Sequence, residues 1–73
     1  MNTIKIGNMI KWESSAGTCV GKVVDIKLDF NAKSELCPWL TIHDVIVDGL
    51  KSSSEIVLNG NHNYLTMMKA VVL

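Results

Sequence analysis

Residues 19–30 read CVGKVVDIKLDF, the longest alternating run in a chain of 73 residues. Val20, Val24, Ile26, Leu28 and Phe30 fall on one phase of a two-residue period, and Asp25, Lys27 and Asp29 on the other. Successive side chains of a strand point to opposite faces, so the pattern predicts a strand with one buried face and one solvated face. Gly21 interrupts it and marks a bulge or sharp bend, the device by which a small sheet curls.

Upstream, Thr3–Trp12 reads as a first strand, with Ile4 and Ile6 in phase and Ile10 and Trp12 following Gly7-Asn8. Glu13-Ser-Ser-Ala-Gly17 supplies the turn between the two strands, with Gly17 at its left-handed position. Ile10, Trp12, Val24 and Ile26 are the predicted core of this hairpin. Downstream, Asn31–Pro38 is polar and ends in a residue that cannot donate to a ladder, so it reads as a loop. A third strand is expected over Trp39–Val47. Its phase changes from Leu40 and Ile42 to Val45 and Val47, and a bulge near His43-Asp44 reconciles the halves. Asp48-Gly49 and Ser52–Ser54 bracket a further turn, the serines reading as a solvated hairpin tip. Glu55–Leu58 is a short fourth strand with Ile56 and Leu58 inward.

Asn59-Gly60-Asn61 breaks that strand. Tyr64, Leu65, Met67, Met68, Val71 and Val72 then fit helical spacing, whereas Lys69–Leu73 carries the β-branched character of a strand. One helical or 3₁₀ turn at Asn63–Met67 followed by a short fifth strand satisfies both, and a nine-residue C-terminal helix is the alternative. Met67 and Met68 read as fillers at the end of the core, or as soft side chains for a partner.

Composition narrows the functions. Seventy-three residues allow one domain, covering 1–73, whose folding buries about 60–65% of the unfolded surface. Hydrophobic residues make up 48% and charged residues 19%, enough apolar material for a core and too little charge for disorder. Seven Lys balance seven Asp plus Glu, and there is no Arg. A zero net charge without Arg disfavours strong attraction to nucleic acid or membrane. No export signal or apolar span is visible, so the expectation is a cytoplasmic protein with Cys19 and Cys37 as reduced, buried thiols. A disulfide between them requires Cα atoms within about 7 Å.

Five short strands, a long mobile connection after the second and a helical turn before the last are similar to the layout of SH3-like small barrels. The stretch GNMIKWESSAGTCVGKVVDI resembles the first hairpin of their Tudor-like and KOW-like members, and EIVLNGNHNYLTMMKAVVL resembles their closing strand–turn–strand. The implied fold is an all-β, five-stranded SH3-like barrel, an architecture that serves many unrelated jobs. The Tudor-like resemblance implies an aromatic cage for a methylated cation, with Trp39 and Tyr64 as its rings here and Asp44 as counter-charge. The KOW-like resemblance implies RNA contact through basic loops, for which Lys22, Lys27 and Lys33 are the candidates.

Catalytic chemistry has little support in the spacing. Cys37 and His43 are the one thiol–imidazole pair worth naming, and a filled barrel offers no cleft for them. Cys19, Cys37, His43 and His62 lack the knuckle or helical spacing of a zinc site, and His62 reads as a turn residue. The expectation is therefore no enzyme, no cofactor and no metal. The reading that remains is a non-enzymatic interaction module that binds a protein partner or self-associates. Its contact surface is drawn from Trp39, Tyr64, Asp44, Phe30 and the Asn31–Pro38 loop, because Trp is enriched at interface anchors. Weak nucleic-acid binding is the alternative. The apolar ending AVVL invites strand pairing or burial.

Overall fold

The computed structural model describes residues 4–73, with Ser53 by its backbone alone. The chain is all-β with one short helix: β1 (Met9–Ser14), β2 (Gly17–Phe30), β3 (Leu36–Val47), β4 (Leu50–Asn59), α1 (His62–Met67) and β5 (Val71–Val72). Every pairing is antiparallel, in one open sheet of order β4–β3–β2–β1–β5. The first strand is shorter than Thr3–Trp12: Thr3 lies outside the described residues, and Ile4 packs on the core from the segment before β1.

Three turns set the register. Ser15-Ala16 closes β1 onto β2, and Gly17 follows at φ 131°. Asp48 and Gly49 sit at φ 50° and 81°, the mirror-image turn that matches strand twist. The serines expected at that tip are instead part of β4, because the two-residue turn needs no more chain. Asp48 clasps the neighbouring turn: its N–H donates to the Thr18 carbonyl at 2.8 Å, and its Oδ1 accepts from the Thr18 N–H at 2.9 Å. Asn31 organises the third turn, where Oδ1 accepts from the Lys33 and Glu35 amides at 2.9 and 3.0 Å. The connection is thus the tight five-residue loop 31–35, shorter than the Asn31–Pro38 loop expected.

Bulges carry the inner face around the core. Between Val20/Ile46 and Lys22/His43 the third strand spends one extra residue, and Asp44 takes it up at φ 56°. That bulge moves the inward phase from Leu40 and Ile42 to Val45, as the change of pattern required. A second shift, between Val23 and Asp25, was not legible. It corrects the core list: Val23 is fully buried, Val24 only half so, and Val20 lies opposite Ile46 outside the core. Gly21 is buried, and a Cβ there would strike the Ile42 side chain.

Ile10, Trp12, Cys19, Val23, Leu40, Ile42 and Val45 form the core. Each large side chain so buried contributes about 1.5–3 kcal/mol. Ile56 and Leu58 of β4 and Val72 of β5 pack on the same cluster, so both outer strands serve one core although they do not pair with each other. Leu65 and Met68 bring α1 onto it, whereas Met67 points to solvent at 70% exposure. The Met68 carbonyl accepts from the Glu13 amide at 2.7 Å, which pins the helix end to β1. Strand β5 then adds to β1 through Ile10/Val72 and Lys11/Val71, partnering the apolar ending.

Candidate functional site

The β2–β3 hairpin outruns its neighbours. Strand β1 pairs β2 only as far as Lys22, and β4 pairs β3 only as far as Asn59 opposite Trp39. Three apolar cross-strand pairs mark the inner phase of the hairpin's outer half: Ile26/Leu40, where β4 still flanks Leu40, and Leu28/Pro38 and Phe30/Leu36 beyond, where the hairpin is a two-stranded ribbon. Leu40 is buried and Ile26 half-buried, but Leu28, Phe30 and Leu36 are 65%, 64% and 57% exposed. Leu28 and Phe30 lie on the inner phase, and the burial expected with it is absent because β1 and β4 both stop short of them.

The ribbon's base opens into a groove of ≈ 610 Å³, where Ile26, Pro38 and Leu40 face Ile4, Leu65 and Val72. Such a groove corrects the expectation of a filled interior. Pro38 fits this strand because Gly60 donates its N–H to the Pro38 carbonyl at 2.7 Å. A strand residue's N–H and C=O share an edge, so the hydrogen that proline lacks belongs to that outer edge and not to the β2–β3 ladder. Gly60 is required for this approach, since a Cβ would come within 2.8 Å of the same oxygen. The groove's polar lining is His62, Thr66 and Lys69.

The residues singled out from sequence are distributed over several places. Phe30 stands at the ribbon tip. Trp39 is half-buried opposite Lys27, and its Nε1 donates to the Asp29 carbonyl at 3.3 Å. Tyr64, 39% exposed, borders a shallow recess of ≈ 340 Å³ with Lys33, Glu35, Asn61, Asn63 and Met67. Asp44 sits at the bulge, five residues along the strand from Trp39. The structure joins Tyr64 to the 31–35 loop and leaves Asp44 apart. Lys22 and Lys27 lie on the outer phase of β2, interleaved with Asp25 and Asp29, and Lys33 lies in the loop. A strip of alternating sign has no sustained positive field.

Cys37 and His43 have separate partners. The Cys37 thiol is buried against the Glu35 carbonyl at 3.4 Å and the Asn61 amide at 3.7 Å. His43 Nε2 meets Glu55 Oε2 at 2.7 Å on an exposed surface, where an ion pair is worth about 0–1 kcal/mol. Both cysteines are free and buried. Among the described residues, no group of three or more His, Cys, Asp or Glu side chains is placed to hold a metal ion, and no helix is long and apolar enough to cross a membrane.

What sequence reasoning missed is the Leu28–Phe30–Leu36 face together with the groove below it. The available signal was length: β2 has 14 residues and β3 has 12, against six in β1 and two in β5. Compared with family models, curated proteins and solved structures, the chain gives no match.

Proposed function

We propose that this chain is a non-enzymatic interaction module built as a five-stranded SH3-like barrel, which docks a protein surface through the inner face of its β2–β3 ribbon and the adjoining groove. Three features support the barrel: a strand order with β1 between β2 and β5, a helical turn before the last strand, and outer strands that share one core. The observation that carries the function is the run of three exposed apolar side chains, Leu28, Phe30 and Leu36, continuous with an apolar groove. The largest contiguous apolar patch on a protein surface is often its contact site. The two buried free thiols suit a reducing cytoplasm.

The test uses the immobilised chain and an extract of its native cell. Wild type retains a partner, or a second copy of itself, and the folded double variant Phe30→Asp/Leu36→Asp does not. Retention by both would remove the ribbon from the site. Salt separates this reading from nucleic-acid binding through Lys22, Lys27 and Lys33. A complex neutralising three phosphates loses affinity roughly as the 2.7th power of salt concentration, whereas an apolar contact is nearly indifferent.

A further inference from the structure

Resting on that reading, we propose that the occupant of the ribbon face is a second copy of this chain, in a two-fold dimer where each Phe30/Leu36 tip fills the other's groove. The face carries both halves of such a contact. Its three apolar pairs are evenly spaced, two residues apart, so successive rows lie about 7 Å apart along the strands. The Leu28/Pro38 row is therefore the midpoint between the tip row, Phe30/Leu36, and the groove row, Ile26/Leu40. A two-fold axis lying between the two faces, parallel to them and perpendicular to the strands, crosses over that midpoint row and lays each tip over the partner's groove row. The same patch then meets itself, which is the requirement of an isologous dimer.

Area agrees with this occupant. At 57–65% exposure, Leu28, Phe30 and Leu36 leave on the order of 400 Å² open in each copy, the size of the largest apolar patch on a typical monomer, ~300–600 Å², which is often functional. With the groove walls added, each copy still buries less than the roughly 800 Å² per partner of a standard interface, which makes this a weak, concentration-dependent dimer. The loop at the tip carries both Lys33 and Glu35, and Glu35 Oε1 accepts from Asn31 Nδ2 at 3.1 Å. The loop's formal charge is zero, so it does not repel the His62 and Lys69 lining of the partner's groove.

Sedimentation equilibrium of the full chain between about 1 μM and about 1 mM tests this. The expected result is a monomer–dimer equilibrium whose dissociation constant rises about 10³-fold in Phe30→Asp, because each dimer loses two groove-filling anchors worth about 2 kcal/mol apiece. Circular dichroism keeps misfolding out of the comparison. Isotope-filtered contacts in a mixed sample should link the Phe30 ring of one copy to Ile26 or Leu65 methyls of the other. A wild-type chain monomeric throughout that range overturns the dimer, as does a dimer that Phe30→Asp leaves intact. In the monomeric case, loss of extract retention in the double variant assigns the face to a different protein, so the two failures are separable.

Discussion

The two ends of β2 carry the same kind of pattern and meet opposite fates. At the root, Cys19, Gly21 and Val23 turn inward against β1 and β3 and are buried to within a few per cent. At the tip, Leu28 and Phe30 turn the same way and remain nearly two-thirds exposed. The difference lies in what stands opposite. The root has Trp12, Ile42 and Val45 across the core, whereas the tip has only its hairpin partner. Alternation therefore encodes which face a residue joins, and the lengths of neighbouring strands decide whether that face is covered.

Substitution at the two ends should separate them sharply. Trp12→Ala is expected to cost about 3–5 kcal/mol, enough to unfold most of a domain this small, read by urea denaturation. Gly21→Ala drives a methyl group into Ile42 and to 3.3 Å from the His43 carbonyl, and should cost about 1–3 kcal/mol with the slope of the urea transition unchanged. Trp39→Ala, between the two regions, removes a half-buried ring and its bond to the Asp29 carbonyl. It should cost about 1 kcal/mol. If the protein unfolds instead, Trp39 belongs with the root and not with the ribbon. Phe30→Ala should change the unfolding free energy by less than about 0.5 kcal/mol when measured at low micromolar concentration. A loss comparable to that of Trp12 would show that the tip is covered and erase the contrast.

Much of the fold was written in local patterns. The left-handed turn residues Gly17, Asp48 and Gly49, the helical turn and the phase change in β3 each announce themselves in a few neighbouring residues. The bulge at Val24 did not, because Val23 and Val24 are both apolar and either can serve as the inward residue. Ser52–Ser54 misled for a related reason: serine favours turns locally, but pairing with β3 overrides that preference. The candidate surface was least legible. Phe30 was named for its ring, yet its setting depends on where β1 and β4 stop. The groove depends on Gly60 approaching Pro38 across the fold. Neither is a property of any short window of sequence.

The reciprocal clasp between Asp48 and Thr18 has a mechanical meaning. It joins residues 30 apart in sequence, and so ties together the two turns at the root of the β2–β3 hairpin. The hairpin is thus a cantilever, clamped at one end and unsupported at the other. Opening starts at the free end, where few contacts must break, and meets rising resistance towards the clamp. Amide exchange should record this as a gradient along a single strand, fast at Phe30 and slowest near Thr18, and clamping of the tip by a bound surface should flatten it.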